Sequence, residues 1–196
     1  MVPAQDTPDA ILAQLRAREG ATRVRLRPTL QSDIPYVLSL EQDPDNLPDI
    51  TPWERTQHEA AIRFPDFRHF VIESGADFEA AGFAILIGCR SPHQALELKR
   101  VVVRHKGHGT GRAALRVLKR IAFDDLGAHR FWLDVKSLNT RARALYEREG
   151  FAVEGTLRDA VRVGDRTASG YDSLIVMSML ADEFTARRAA ALELPA

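Results

Sequence analysis

The chain reads as an α+β fold, a single domain in which strands and helices are interspersed. Segment order is the first observation behind this. The order is β-α-α-β-β-β-α-β-α-β-β, and three strands in succession before the central helix exclude a simple doubly wound sheet. Size and composition are the second: 196 residues, 45% hydrophobic and 28% charged, suffice for one ordinary core. The third is Leu96–Gly127, LELKRVVVRHKGHGTGRAALRVLKRIAFDDLG, which passes from strand to glycine-rich turn to amphipathic helix almost without a linker.

Residues 1–20 are polar and punctuated by proline. They read as an N-terminal extension whose amphipathic patch, Ile11, Leu12 and Leu15, suits a short surface helix or a mobile arm. The domain proper is expected over residues 21–180. Thr22–Arg27 alternates Val24 and Leu26 with arginines, as a half-buried strand does, and Pro28 limits its continuation. Ser32-Asp33-Ile34-Pro35 starts a helix with Ile34, Val37, Leu38 and Leu40 on its apolar face. Glu41–Pro52, acidic and proline-rich, reads as a loop, and Trp53-Glu54 leads into a second short helix ending near Arg63. Phe70–Ile72 and Gly82–Ile87 are strands around a Gly75–Glu79 turn. After the central unit, Arg130–Val135 is a strand and Asn139–Glu149 a helix. Phe151–Val163 and Ala168–Leu180 form a closing hairpin around Gly164-Asp165, and residues 181–196 are a helix-prone tail.

Within the central unit, Val101, Val102 and Val103 fit a strand buried on both faces. Leu96 and Leu98 set one parity, and Arg100 is polar where the next apolar side chain would fall. Such a phase slip suits a β-bulge near Lys99–Val101. Gly107, Gly109 and Gly111 alternate with His108 and Thr110, so backbone N–H groups can crowd around an anion without interference from Cβ atoms. The following helix sets Leu115, Leu118, Ile121, Ala122 and Leu126 at helical spacing, with Arg112, Arg116, Lys119 and Arg120 mostly opposite and Gly127 as its stop. A glycine turn ahead of a helix N-terminus is a phosphate cradle, and a pyrophosphate is the expected ligand. The spacing G-x-G-x-G is neither the dinucleotide fingerprint nor a P-loop, since Lys106 precedes the glycines. On these residues alone, a tight turn without a ligand stays open.

Asn139–Arg158, NTRARALYEREGFAVEGTLR, narrows the reading. Asn139, Ala142, Leu145, Tyr146, Glu147, Gly150, Phe151, Glu154, Gly155 and Arg158 resemble the signature N-x-x-A-x-x-L-Y-E-x-x-G-F-x-x-E-G-x-x-R of GNAT acyltransferases, in the RimJ/RimL-like branch. The resemblance spans roughly Ala21–Leu180 and is most specific from Glu97 to Arg158. It implies a central twisted mixed sheet flanked by helices, with acetyl-CoA as co-substrate. It also implies direct transfer of the acetyl group to an amine in a ternary complex. The glycine turn is similar to the family's coenzyme A pyrophosphate loop, Q/R-x-x-G-x-G/A, in either of two registers, Arg104-x-x-Gly107-x-Gly109 or Lys106-x-x-Gly109-x-Gly111. The implied cofactor contacts run from Val101 and Val103, whose backbone would face the pantetheine amides, through Arg104, Lys106, Gly107, His108, Gly109, Thr110, Gly111 and Arg112. Asn139, Ala142 and Tyr146 complete them.

Acyl transfer sets further demands. A lysine-like amine titrates near 10.4, at about which pH it half-sheds the proton that blocks attack, so a base is needed. The departing thiolate needs an acid. Glu97, on the central strand beside the expected acetyl position, is the base candidate; its alternative role is a solvent-facing carboxylate paired with Lys99 or Arg100. Tyr146 is the acid candidate, since a phenol titrating near 10 can share a proton with a thiol; its alternative role is a core aromatic. Asn139 is expected to cap its helix. Cys89 with His93 lacks an orienting third group, and His105, His108 and Cys89 lack zinc spacing, so no metal is expected. The acidic loop with Glu41, Asp43, Asp45 and Asp49, together with the Val163–Gly170 turn, is expected to flank the amine entrance.

Lys plus Arg and Asp plus Glu number 27 each, so no charge excess tethers the chain to nucleic acid or to a membrane. A single cysteine and the lack of a signal sequence or long apolar span suit the cytoplasm. The acceptor stays open between a small-molecule amine and a protein N-terminus, and a homodimer stays open as well. A longer acyl-CoA donor and a catalytically silent CoA-binding module are the alternatives to acetyl transfer.

Overall fold

In the computed structural model, which describes residues 17–19, 22–163 and 170–193, the alternating segments pair into one mixed sheet. Its strands are β1 (Ala17–Glu19), β2 (Thr22–Pro28), β3 (Phe67–Ser74), β4 (Glu79–Ile87), β5 (Ala95–Val103), β6 (Arg130–Lys136), β7 (Ala152–Val163) and β8 (Gly170–Leu180). Their spatial order is β1-β2-β3-β4-β5-β6-β8-β7, and every neighbouring pair is antiparallel except β5–β6. The helices are α1 (Ile34–Glu41), α2 (Arg55–Arg63), α3 (Thr110–Arg120), α4 (Thr140–Arg148) and α5 (Ala181–Glu193). β1 is unforeseen, because three residues of the expected extension pair with β2 and lengthen the sheet. The helix expected around Ile11–Leu15 and the hairpin tip at Gly164-Asp165 lie outside the described residues.

Side-chain parity divides the core between the two faces of the sheet. On one face Leu26, Ile72, Leu86, Leu96, Phe131 and Met177 pack with Leu115 and Leu118 of α3 and Tyr146 of α4. On the other, Phe83, Ile85 and Val102 pack with Val37 and Leu40 of α1. Leu115 and Leu118 are at most 1% exposed, and burying each stabilises the fold by roughly 1.5–3 kcal/mol. α3 relaxes into a π turn over Ile121–Asp125 and stops at Gly127, whose φ of +63° suits glycine. The tail forms α5 and docks there, with Phe184 stacked on Phe123 at 4.8 Å between ring centroids.

The phase slip in β5 is a bulge. Leu98 pairs with Leu86 and Arg100 with Ile85, which leaves Lys99 as an extra residue. Before it, Leu96 and Leu98 face α3; after it, Val101 and Val103 do, while Arg100 and Val102 turn to the α1 face. The parallel pairing of β5 with β6 is brief, covering only Ala95–Glu97 against Arg130–Trp132. Beyond Glu97 the two strands diverge: β5 continues on β4 and β6 on β8.

Candidate active site

The divergence opens a cavity of about 740 Å³ in the middle of the sheet. Its walls are residues 98–103 of β5 and residues 134–136 of β6. On the α3 face it is lined by the glycine turn, Arg112, Leu115, Asn139, Ala142, Leu145 and Tyr146. On the α1 face it is lined by Asn46, Asp49 and residues 50–53. The opening therefore passes through the sheet from face to face. Along it, the main-chain edges that β5 and β6 would present to each other have no cross-strand partner.

At one end the glycine turn has a geometry that can take an anion. Gly107 and Gly109 have φ of +86° and +83°, a left-handed conformation that favours glycine, and Gly109 caps α3. The first helical bond runs from the Ala113 N–H to the Gly109 carbonyl at 2.9 Å, so the N–H groups of Thr110, Gly111 and Arg112 have no acceptor within the helix. Gly111 is helical. The glycine requirement thus follows the Arg104-x-x-Gly107-x-Gly109 register, but of Arg104 and Lys106 it is Lys106 that lines the cavity, 3.3 Å from Asp49. Arg104 lies instead over the Tyr36 ring at 5.0 Å, and Thr110 and His108 also stand outside the lining. The Gly109→Glu variant sets a carboxylate in the cradle and strains the backbone by about 1–2 kcal/mol. It is expected to bind coenzyme A at least about tenfold more weakly by calorimetry, with its circular dichroism unchanged. Equal affinity would remove the turn from the site.

Tyr146 lines the cavity from α4, with its ring against Phe151 at 5.9 Å. Burial, reinforced by the negative charges of Asp134 and Asp49, pushes its phenol above the ordinary value, so it holds its proton. Asn139 caps α4, as expected, by accepting the Ala142 N–H at 3.0 Å, and it also lines the cavity. Glu97 stands just outside the cavity. It is the last residue of β5 still paired with β6, shares the α1 face with Ile87, and holds the Lys99 ammonium at 3.0 Å. Its carboxylate is absent from the cavity lining; the carboxylates present there are Asp49 and Asp134. The reason is that the strands separate only after Glu97. Asp134 was detectable in the sequence as a polar residue alternating with Phe131, Leu133 and Val135 in a central strand.

The α1-face wall rests on a buried network. Glu41, expected in the acidic loop that flanks the amine entrance, is instead fully buried at the end of α1. It accepts from Arg100 and from the Trp53 N–H, and Arg100 donates to the Thr51 carbonyl at 2.9 Å. The bulge at Lys99 is what aims Arg100 to this face. His58 Nε2 lies 3.4 Å from Glu41, His58 Nδ1 is 3.0 Å from His69 Nε2, and His69 Nδ1 is 2.8 Å from the Thr29 hydroxyl. Burial, with His58 alongside, drives His69 down to about 3, so it is neutral in the fold. Burial raises the Cys89 thiol, and Cys89 is apart from the lining. Among the described residues no group of three or more His, Cys, Asp or Glu side chains is placed to hold a metal ion. No helix there is long and apolar enough to cross a membrane.

Comparison with known proteins agrees with this architecture. The spermidine N(1)-acetyltransferase of Escherichia coli K12 is 28% identical over 149 residues, spanning 70% of this chain and 77% of that protein. An uncharacterized N-acetyltransferase of Mycobacterium tuberculosis is 36% identical over 102 residues, half of this chain and 64% of its own. The fold superposes on Vibrio cholerae spermidine N-acetyltransferase, solved with CoA and spermine, with a TM-score of 0.73 at 23% identity, covering 83% of this chain and 98% of that one. Residues 23–152 match the acetyltransferase (GNAT) domain model, and the chain therefore belongs to the GNAT family of acetyltransferases.

Proposed function

We propose that the protein moves an acetyl group from acetyl-CoA directly to the primary amine of a small cationic molecule, with both substrates in the through-sheet cavity at once. The observation that carries this reading is the opening between β5 and β6, which joins an anion cradle on one face to a wall bearing Asp49 on the other. The cofactor's pyrophosphate sits at the N-terminus of α3 and its pantetheine arm along β5 at Val101 and Val103. The amine approaches from the Asp49 side. Its nitrogen attacks the thioester carbon, the C–S bond breaks, and Tyr146 gives its proton to the leaving sulfur. Asp134 lines the cavity, where its charge favours the Arg100 cation and the protonated Tyr146 phenol, and it takes the amine proton in place of Glu97. Similarity to a spermidine acetyltransferase favours a di- or polyamine over a protein N-terminus.

The test is thiol release from acetyl-CoA over a panel of polyamines, monoamines, amino acids and N-terminal peptides. Polyamines are expected to lead, with intersecting initial-rate lines. Parallel lines would exclude direct transfer, longer acyl-CoA donors outpacing acetyl-CoA would reassign the donor, and CoA binding without turnover of any acceptor would leave a silent binding domain. Asp134→Asn is expected to cost about 10²-fold in turnover near neutral pH and less at alkaline pH, with Glu97→Gln much milder.

A further inference from the structure

We propose that Glu149 is a positioning residue that holds the Arg112 guanidinium ready for the phosphates of coenzyme A, an inference that rests on the cofactor reading above. Glu149 follows the last turn of α4, and its side chain is only 3% exposed. Its carboxylate accepts from Arg112 Nε at 2.7 Å, Arg116 Nε at 2.9 Å and Lys119 Nζ at 2.9 Å. These three cations lie four and then three positions apart, on one face of α3. Burial raises the Glu149 carboxyl, but hydrogen bonds from Arg116, Arg112 and Lys119 outweigh it and hold the group down at about 2. It is therefore an anion throughout the working pH range.

The three cations differ in what they can reach. Lys119 is buried and also donates to the Glu149 carbonyl at 2.9 Å, which ties α4 to α3. Arg112 is the outermost: its side chain is 55% exposed, it lines the cavity, and it lies in the first turn of α3 beside the unpaired N–H groups. Glu149 engages it through Nε. An Nε bond fixes the plane of a guanidinium and leaves its Nη pair as a fork, the geometry that matches phosphate oxygens. Without the carboxylate, a long exposed side chain loses its orientation and the phosphates must restrain it on binding.

The discriminating comparison is acetyl-CoA against acetyl-pantetheine, which carries the thioester and arm but no phosphate. With Glu149→Gln, KM for acetyl-CoA is expected to rise about tenfold, part of one charge-assisted contact, while acetyl-pantetheine kinetics stay as in the wild type. Adding Arg112→Gln to Glu149→Gln is expected to be no worse than Arg112→Gln alone, since both remove the same contact. Equal losses with both thioesters, or additive effects, would overturn the proposal and make Glu149 a plain clamp between α3 and α4. Should Glu149→Gln fail to fold, Arg112→Lys removes the Nε bond and the fork while sparing Lys119, and it must raise KM for acetyl-CoA; an unchanged KM overturns the proposal. If the wild type itself does not prefer acetyl-CoA to acetyl-pantetheine, the cofactor reading falls first.

Discussion

Tyr146→Phe is expected to lower turnover by about a hundredfold or more while coenzyme A affinity survives. The substitution keeps the ring that packs on Phe151 and removes only the hydroxyl, so lost packing contributes little. Burial and two nearby carboxylates keep that hydroxyl protonated, as a donor to a departing thiolate must be. Turnover at saturating acetyl-CoA, measured with calorimetry of CoA binding, separates the cases. Unchanged turnover would remove Tyr146 from the chemistry. A parallel fall in CoA affinity would mark it as a packing residue.

Arg100→Met is expected to lower folding stability by about 3–5 kcal/mol, the usual cost of stranding one member of a buried ion pair. Glu41 is fully buried, and without Arg100 its remaining neighbours are the Trp53 N–H and His58 at 3.4 Å. The Thr51 carbonyl loses its donor as well. Urea unfolding should show a lower midpoint with an unchanged slope. The measurement belongs above about pH 6.5, the ordinary histidine value. His69 is neutral in the fold and takes up a proton when unfolded, so its contribution is complete above that pH and is lost as pH falls toward 3. A loss below about 1 kcal/mol would mean that water or a shifted side chain satisfies Glu41.

Local pattern carried the sequence reading far wherever the cause was local. Alternation identified β2, apolar runs marked β3 to β5, the parity break at Arg100 identified the bulge, and the glycines at 107 and 109 stand where φ is positive. What depended on distant partners was not legible. Glu41 looks like any acid in an acidic loop; Arg100, 59 positions away, with the Trp53 N–H and His58, makes it a core residue. Lys119 was assigned to the solvated side of α3, yet it is buried because Glu149 comes from another helix to meet it. Glu97 suits a base by its place on the central strand beside the expected acetyl position. Its placement depends on where β5 and β6 part, and that register is set by the whole sheet.

The parting of β5 from β6 has a consequence for how this protein tolerates mutation. The polar lining it creates is main chain, present whatever side chains occupy residues 98–103 and 134–136. No point mutation can delete a carbonyl and only one to proline deletes an N–H, so this half of the cavity is protected against most drift. The opposite wall, residues 49–53, belongs to a loop between two helices whose side chains can change without shifting any strand. Changes of acceptor are therefore expected to accumulate in that loop, while the thioester end stays the same from one descendant to the next.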